Sequence, residues 1–433
     1  MSVLFQNVTV LTMDPAQPVL KDAFVAVDGT MIVSLGTQRP QGKFDRVVDG
    51  AGQVLMPGLI NCHTHVPMTL MRGYGGGHDL QHWLQNYIFP AEAKLDERAV
   101  AAGAALGLAE MIACGTTCIV DMYMKTDTIA QQVMKAGISA NLSCGGLDVG
   151  APEDFSPDTC SDCRTQVDLA EKWHGAGEGQ ILVDASIHAE YTSSAPLWQW
   201  TADFAAQKKL GMHVHISETR LEHEQCLEKY GKTPLAVLDQ YGVWERGGTA
   251  AHCVWVSDED MDLMARKHVT AVHNPVSNLK LGSGVARVPQ LLKAGVNVAL
   301  GTDGVSSNNN ADLFEEIKLA AILHKGVNLD PMTVTAHQAL EMATVNAARA
   351  LGRNTGVIAP GKIADLILVD FTRPGLTPCH DVEENLAFAA RGADVSMNMA
   401  RGKIIYEKGE FLTLDLEQIR SEVENYALPR IFG

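Results

Sequence analysis

The chain contains the segment Val54-Leu55-Met56-Pro57-Gly58-Leu59-Ile60-Asn61-Cys62-His63-Thr64-His65, an apolar run that ends in two histidines one residue apart. Alternate side chains of a β-strand share a face, so both imidazoles project the same way and can bind one metal ion. A His-x-His pair alone decides little, because two histidines at this spacing are often ordinary polar residues. Matching groups at the ends of later strands are needed.

Apolar, strand-like runs alternate with helix-like segments through the middle of the chain. Eight runs are typical of strands: 58–62, 116–121, 138–144, 181–187, 212–216, 249–253, 269–272 and 296–300. Eight parallel strands that are each followed by a helix close into a barrel, whose chemistry lies at the carboxyl ends of the strands. The pattern predicts an α/β fold, a (β/α)8 TIM barrel, with functional residues where these runs finish.

Short strand-like segments also stand at both ends of the chain, at 4–11, 23–27 and 32–35 and again at 364–369, 397–399 and 404–406. Neither group buries enough surface alone, so both are expected to join into one small β-sandwich domain. The predicted limits are 1–56 for the N-terminal part of this β-domain, 57–359 for the barrel, and 360–433 for the C-terminal part of the β-domain plus a terminal helix.

The composition restricts the kinds of partner and the cellular location that can be expected. The 433 residues include 51 Asp or Glu and 34 Lys or Arg, a net charge of −17 that disfavours nucleic acid and acidic membrane surfaces. No run reaches the ~20 apolar residues of a membrane span, and the first residues lack a secretory pattern, so we expect a cytoplasmic protein. The nine cysteines are interpreted as reduced thiols, and Cys160 and Cys163 form a C-x-x-C pair without the second pair that a zinc ribbon needs.

The predicted strand ends carry groups that bind metals. We assign His63, His65, His215 and Asp303 as ligands of one divalent ion, with zinc expected and iron or manganese as alternatives. His213 shares a strand face with His215 and is the alternative third imidazole. Because the fourth strand contains no lysine that could bridge two metals, the sequence predicts one ion per chain.

Hydrolytic chemistry follows from such an ion. A metal ion with an open position lowers the pKa of bound water towards ~7 and makes that water a nucleophile. Glu218, three residues after His215, is expected to move a proton from the water to a ring nitrogen of the substrate. Asp303 would take the remaining proton, and His252 would stabilise the charge that develops on the water. The alternatives for His252 are a further ligand or a packed core residue.

The order of these motifs resembles the amidohydrolase superfamily, in its branch of aromatic-base deaminases and chlorohydrolases. The resemblance covers nearly the whole chain and rests on Pro57-Gly58-Leu59-Ile60-Asn61-Cys62-His63-Thr64-His65, His215-Ile216-Ser217-Glu218-Thr219, Ala251-His252-Cys253, His273-Asn274-Pro275 and Gly301-Thr302-Asp303-Gly304. Finer motifs look like the methylthioadenosine/S-adenosylhomocysteine deaminases: Pro67-Met68-Thr69-Leu70-Met71-Arg72-Gly73, Trp83-Leu84, Pro90-Ala91-Glu92-Ala93-Lys94-Leu95, Ser277-Asn278-Leu279-Lys280-Leu281 and Ser306-Ser307-Asn308-Asn309. The resemblance implies water attack at C6 of an adenine, release of ammonia and formation of the inosine analogue.

The same resemblance implies how the substrate is bound. Glu92 would accept hydrogen bonds from the ribose hydroxyls, His188 would contact the nucleoside, and Trp83 would line the 5′ pocket. The family often carries an arginine after the third strand for the homocysteine carboxylate, but this chain has Gly145 there, and Arg164 lies near a second such position. A site that retains only one of two arginines binds a carboxylate weakly. Methylthioadenosine, 5′-deoxyadenosine or adenosine is therefore expected to be a better substrate than S-adenosylhomocysteine.

Two other functions compete with this one. A deaminase or dechlorinase of another heterocycle, such as a guanine, pterin or triazine, would use the same metal centre. A non-catalytic assembly protein on an inherited barrel is disfavoured, because such a protein should have lost ligands and all the expected ones are present. A small-molecule substrate is the expected partner, and the sequence leaves a homo-oligomer open.

Overall fold

The computed structural model describes residues 1–148 and 152–433. Its strands run in chain order as β1 Ser2–Leu11, β2 Val19–Asp28, β3 Met31–Gly36, β4 Arg46–Asp49, β5 Gln53–Pro57, β6 Leu59–Thr64, β7 Thr116–Met122, β8 Ser139–Ser143, β9 Ile181–Val183, β10 Ala185–Ala189, β11 Met212–Ile216, β12 Gly248–His252, β13 Val269–His273, β14 Val298–Leu300, β15 Leu366–Asp370, β16 Val395–Ala400, β17 Lys403–Glu407 and β18 Glu410–Phe411. Each of the eight strands predicted in the middle of the chain is present, and the fourth is interrupted at Asp184 into β9 and β10.

Helices connect most of these strands. They are α1 Leu80–Trp83, α2 Phe89–Glu92, α3 Glu97–Ala113, α4 Thr126–Ala136, α5 Ser161–Trp173, α6 Ala176–Gly179, α7 Ala195–Lys208, α8 Arg220–Tyr230, α9 Pro234–Gln240, α10 Asp258–Lys267, α11 Pro275–Lys280, α12 Val288–Lys293, α13 Val305–Asn308, α14 Leu313–Asn328, α15 Ala336–Met342, α16 Val345–Ala350, α17 Val382–Phe388, α18 Leu416–Glu422 and α19 Leu428–Phe432. Shorter 3-10 and π-helical turns lie between them, among them Val66–Met71 and Leu84–Ile88. No helix in the described part of the chain is long and apolar enough to cross a bilayer.

The central strands form two parallel sheets in sequence order. One sheet has the order β6-β7-β8-β9 and the other β10-β11-β12-β13-β14. Every residue of β6 and of β7 is buried, as expected for parallel strands that are covered on both faces. The fold is thus a mixed α/β structure of TIM-barrel type, in which the carboxyl ends of the strands of each parallel sheet lie on one side of that sheet.

Contacts link the outer strands of these two sheets. The strands β6 and β14 meet where the N–H of Asp303, which follows β14, donates to the carbonyl of His63 in β6 at 2.9 Å. The segment after β8 pairs with β10 through a parallel bridge between Gly146 and Ile187. These bonds bring the ends of β6, β10 and β14 to the same region.

Both chain ends share a third sheet of nine strands. Its order is β18-β17-β16-β15-β5-β1-β2-β3, with β4 paired to β1. The two halves join where β5 and β15 pair antiparallel, with Leu366 opposite Pro57. Strands from both chain ends therefore lie in one sheet. The helices α18 and α19 follow that sheet in the chain, and Arg98 on α3 pairs with Glu422 of α18 at 2.8 Å.

Candidate active site

The predicted metal ligands come from three strand ends. His63 belongs to β6 and His65 follows it, His215 belongs to β11, and Asp303 follows β14. The Asp303 backbone has a φ of 63°, a left-handed conformation. The Gly304 N–H donates to Asp303 Oδ1 at 2.7 Å and thereby holds this turn.

These side chains converge on one point. Asp303 Oδ1 lies 3.4 Å from His63 Nε2 and 3.3 Å from His65 Nε2. His215 Nε2 lies 3.3 Å from His65 Nε2. The ligand atoms of His63, His65 and Asp303 lie within 4.8 Å of one another. The same holds for the ligand atoms of His63, His215 and His252. His63 Nε2 is buried without a hydrogen-bond partner, as expected of an atom whose partner is a metal ion. The donor set therefore fits a single divalent ion.

Hydrogen bonds behind the rings orient the imidazoles. Nδ1 of His65 lies 2.6 Å from the Met122 carbonyl, and Nδ1 of His215 lies 2.7 Å from the His188 carbonyl. A carbonyl can only accept, so each Nδ1 carries the proton and each Nε2 presents its lone pair to the centre.

His213 lies on the other side of His63. Its Nε2 is 2.9 Å from His63 Nδ1, the nitrogen opposite to the one that faces Asp303. His213 is therefore separated from the ligand group by the His63 ring. The geometry favours His215 over His213 as the third imidazole.

Two serines that the sequence reasoning missed hold the carboxylate of Asp303. Ser277 Oγ donates to Asp303 Oδ2 at 2.6 Å and Ser307 Oγ donates at 3.0 Å, while Oδ1 is the oxygen that faces His63 and His65. Burial acts to raise the pKa of Asp303, but the imidazoles of His63, His252 and His65 beside it keep that pKa well below its usual value. Both serines lie in short helices that directly follow a barrel strand, which was the available sequence signal.

Glu218 and His252 face each other beside the metal group. Glu218 Oε2 lies 3.6 Å from His252 Nε2, and Ser283 Oγ donates to Glu218 Oε1 at 3.3 Å. The second His252 nitrogen, Nδ1, lies 2.8 Å from Asn278 Oδ1. Burial raises the pKa of Glu218, which makes this carboxylate a better proton acceptor.

The start of α8 fixes the turn that carries Glu218. Thr219 caps this helix, accepting a hydrogen bond from the Glu222 N–H. The Glu222 carboxylate in turn accepts the N–H groups of Ser217 at 2.9 Å and Glu218 at 2.8 Å. This reciprocal capping leaves little freedom for the Glu218 backbone.

One cavity contains most of the predicted residues. It is lined by His65, Met68, Leu80, Trp83, Leu84, Ile88, Phe89, Glu92, Met122, Tyr123, Met124, Cys144, Gly145, Leu147, His188, Tyr191, His215, Glu218, His252, Leu281, Asp303 and Ser307. Three predicted substrate contacts, Trp83, Glu92 and His188, are among them. Arg164 is exposed on α5 and does not line this cavity, so the structure does not bring it to the other predicted residues.

The fold and the site together define a metal-binding hydrolase of TIM-barrel type. The chain belongs to the amidohydrolase family, whose profile matches residues 54–405. The resemblance seen in the sequence motifs is thereby confirmed.

Individual relatives are similar over almost their whole length. A 5′-deoxyadenosine deaminase of Methanosarcina acetivorans is 41% identical over 98% of this chain and 97% of its own length. A 5-methylthioadenosine/S-adenosylhomocysteine deaminase of Caldanaerobacter subterraneus subsp. tengcongensis is 42% identical over 100% of this chain and 99% of its own. The crystal structure of an adenosine deaminase from Xanthomonas campestris with bound zinc is 33% identical, with a TM-score of 0.94 over 99% of this chain and 98% of that chain.

Proposed function

We propose that the protein is a metal-dependent hydrolase that deaminates an adenine nucleoside to the inosine analogue and ammonia. The observation that carries the proposal is a single cavity in which Glu218 and His252 stand beside a histidine and aspartate group suited to one divalent ion. The names of the similar proteins, a 5′-deoxyadenosine deaminase and an adenosine deaminase with bound zinc, support both the substrate class and zinc.

The ligands in this proposal are His63, His65, His215 and Asp303. When bound, the zinc ion supplies activation of the attacking water by lowering its pKa. Glu218 accepts one proton of that water and delivers it to the ring nitrogen next to C6. Asp303 takes the remaining proton for the departing amino group, which leaves as ammonia, and His252 stabilises the charge that develops on the oxygen.

Three lining residues are proposed to bind the nucleoside. Burial raises the pKa of Glu92, whose carboxylate lies beside the hydroxyl of Tyr123. This carboxylate is part of the cavity wall and can accept hydrogen bonds from the ribose hydroxyls. The ring of His188 lies with its centroid 4.6 Å from that of His215, and its Nδ1 is 3.1 Å from Thr192 Oγ1. Trp83 donates through Nε1 to the Tyr74 carbonyl at 3.1 Å, so its apolar ring is free to line the 5′ pocket.

The cavity wall favours an uncharged 5′ substituent. Among the described residues that line it, none is a lysine or arginine, and Met124, Cys144 and Leu147 form part of the wall. A carboxylate that leaves water needs a cation or several hydrogen bonds to offset its lost hydration. We therefore propose methylthioadenosine, 5′-deoxyadenosine or adenosine as the substrate in preference to S-adenosylhomocysteine.

We also propose the finer architecture that was expected from the sequence. The bond between Asp303 and His63 and the nearly continuous β9 and β10 support closure of both parallel sheets into one (β/α)8 barrel at 57–359. One buried core contains Val25 of β2, Leu366 of β15 and Met397 of β16, which supports folding of segments 1–56 and 360–433 into a sandwich. The cytoplasmic location stays a prediction.

The test is a screen for ammonia release by the zinc-loaded protein. The panel contains adenine nucleosides, S-adenosylhomocysteine, guanine, a pterin, and an amino- and a chloro-triazine, with chloride release measured for the last. The expected result is the highest kcat/KM for an adenine nucleoside with an apolar or absent 5′ substituent, and loss of that activity after chelation. Turnover of only the guanine, pterin or triazine compounds would contradict the proposed substrate class, and no turnover of any compound would contradict the enzymatic function.

A further inference from the structure

We propose that His213 and Thr249 form a buried hydrogen-bond relay that holds His63 in the one tautomer able to bind the metal ion. Both would be positioning residues, since they act through His63 and do not line the cavity. The proposal rests on the metal role proposed for His63, but not on the identity of the substrate.

The relay consists of three contacts and begins between the two parallel sheets, since His63 lies on β6 and His213 on β11. His63 Nδ1 lies 2.9 Å from His213 Nε2, and His213 Nδ1 lies 2.6 Å from Thr249 Oγ1. The Thr249 hydroxyl then faces the Met212 carbonyl at 3.4 Å. His213 on β11 and Thr249 on β12 stand opposite each other in the strand register, and both side chains are buried.

The chemistry fixes every proton along this path. A metal bond at His63 Nε2 needs a lone pair there, so the single proton of the neutral ring must sit on Nδ1. That N–H donates to His213 Nε2, which then carries no proton, so the proton of His213 sits on Nδ1. This second N–H donates to Thr249 Oγ1, and the hydroxyl can direct its own proton to the Met212 carbonyl.

His63 differs in this respect from the other two imidazole ligands. His65 and His215 donate to backbone carbonyls, which accept in every state and need no further support. His213 can either accept or donate at Nε2, so it does not by itself determine the tautomer of His63. Thr249 favours one tautomer, because its hydroxyl proton is directed to the Met212 carbonyl and its oxygen is then left to accept the His213 N–H.

Removing the Thr249 hydroxyl should therefore reverse the relay. In a T249V variant the Nδ1–H of His213 faces a methyl group, and an unpaired buried N–H is unfavourable. Moving the proton of His213 to Nε2 relieves that cost but makes His213 the donor to His63. His63 then holds its own proton on Nε2, the atom that should bind the metal.

The experiment measures zinc affinity by competition with a chromogenic chelator. T249V is expected to bind zinc ten- to a hundredfold more weakly, the usual effect of losing a partner of a metal-bound histidine. T249S keeps the hydroxyl and should stay within about threefold of the parent by the same reasoning. T116V is the matched control, because Thr116 is a buried strand threonine whose Oγ1 has no hydrogen-bond partner.

A double-mutant cycle separates the relay from general packing. In H213Q the glutamine amide oxygen can accept the His63 N–H, and glutamine has no tautomers. Because Thr249 then no longer affects the proton position on His63, T249V should change zinc affinity little in that background. Nitrogen NMR of the apoproteins should show the His63 proton moving from Nδ1 to Nε2 in T249V alone.

Two outcomes would overturn the relay. One is a T249V zinc affinity within threefold of the parent, and the other is an equal loss in the parent and H213Q backgrounds or in T116V. If T249V does not fold, T249S and T249A are compared instead, and the relay requires that T249A alone weakens zinc binding. Because the readout is metal affinity, a failure of the proposed deaminase reaction would leave this result unchanged.

Discussion

Replacing Glu218 by glutamine tests the proposed proton transfer most directly. Glutamine has nearly the same shape, so the hydrogen bond from Ser283 and the contact with His252 can persist. It cannot carry a proton between water and a ring nitrogen. We expect E218Q to bind zinc and nucleoside like the parent, with KM changed no more than a few-fold, and to lose most of its kcat.

The expected size of the loss follows from the surroundings of Glu218. General acid–base catalysis contributes about 10²- to 10⁴-fold, or roughly 2.7 to 5.4 kcal/mol at 1.36 kcal/mol per tenfold change. The other carboxylates in the described cavity lining are Glu92 and Asp303, and Asp303 is committed to the metal group. Because no free carboxylate of the described lining stands beside His252 to replace Glu218, we expect a loss of about 10³-fold or more.

The assay is ammonia release under saturating nucleoside, with zinc content measured on the same samples. E224Q is the matched control, because Glu224 on α8, the helix that follows Glu218, is exposed and pairs with Arg220 at 2.7 Å. The reasoning is refuted if fully zinc-loaded E218Q keeps a kcat within tenfold of the parent.

Three other predictions concern pH, substrate charge and the core. Burial lowers the pKa of His324 to about 4, so the unfolded chain binds a proton at this group before the folded protein does, and about 3 kcal/mol of unfolding free energy should be lost between about pH 6.5 and about pH 4 through His324. Urea unfolding at several pH values should show that this part of the pH dependence is missing in H324Q, and the same pH dependence in H324Q and the parent would contradict it. S-adenosylhomocysteine should show a kcat/KM at least about tenfold below methylthioadenosine, since the described cavity lining holds no cation, and equal values would rule this out. Trp244, fully buried and donating to the Leu235 carbonyl at 3.2 Å, should cost about 3 to 5 kcal/mol of unfolding free energy when replaced by alanine, whereas a change below about 1 kcal/mol would show that the site repacks.

The sequence predicted the metal group because its signals are local. Strand alternation puts His63 and His65 on one face, and strand ends bring His215 and Asp303 to them. The choice between His213 and His215 could not be made in this way, because they also share a face and differ only in depth along the strand. That choice depends on Thr249, which faces His213 through the register of β11 and β12, and on His63, which contacts His213 from the other parallel sheet.

The structure does not bring Arg164 to the other predicted residues, for a similar reason. Position in a motif does not say which side of a helix faces the cavity, and α5 directs Arg164 to solvent while Asp162 of the same turn accepts the Leu147 N–H at 2.8 Å. The helix thus supports the cavity loop through the carboxylate of Asp162. The positive charge of Arg164 stays outside the cavity wall.

Both the backbone conformation and the neighbours of Gly145 disfavour an arginine at this position. Gly145 has a φ of 65°, which side chains other than glycine rarely adopt, and a Cβ there would lie 2.8 Å from Cγ and Sδ of Met122. The Met122 side chain could yield only by shifting within the cavity wall, and its backbone carbonyl holds Nδ1 of the metal ligand His65. A cation at this position would therefore require changes next to the metal centre. The apolar cavity wall and the orientation of His65 are coupled through Met122, which supports the proposed preference for a substrate with an uncharged 5′ group.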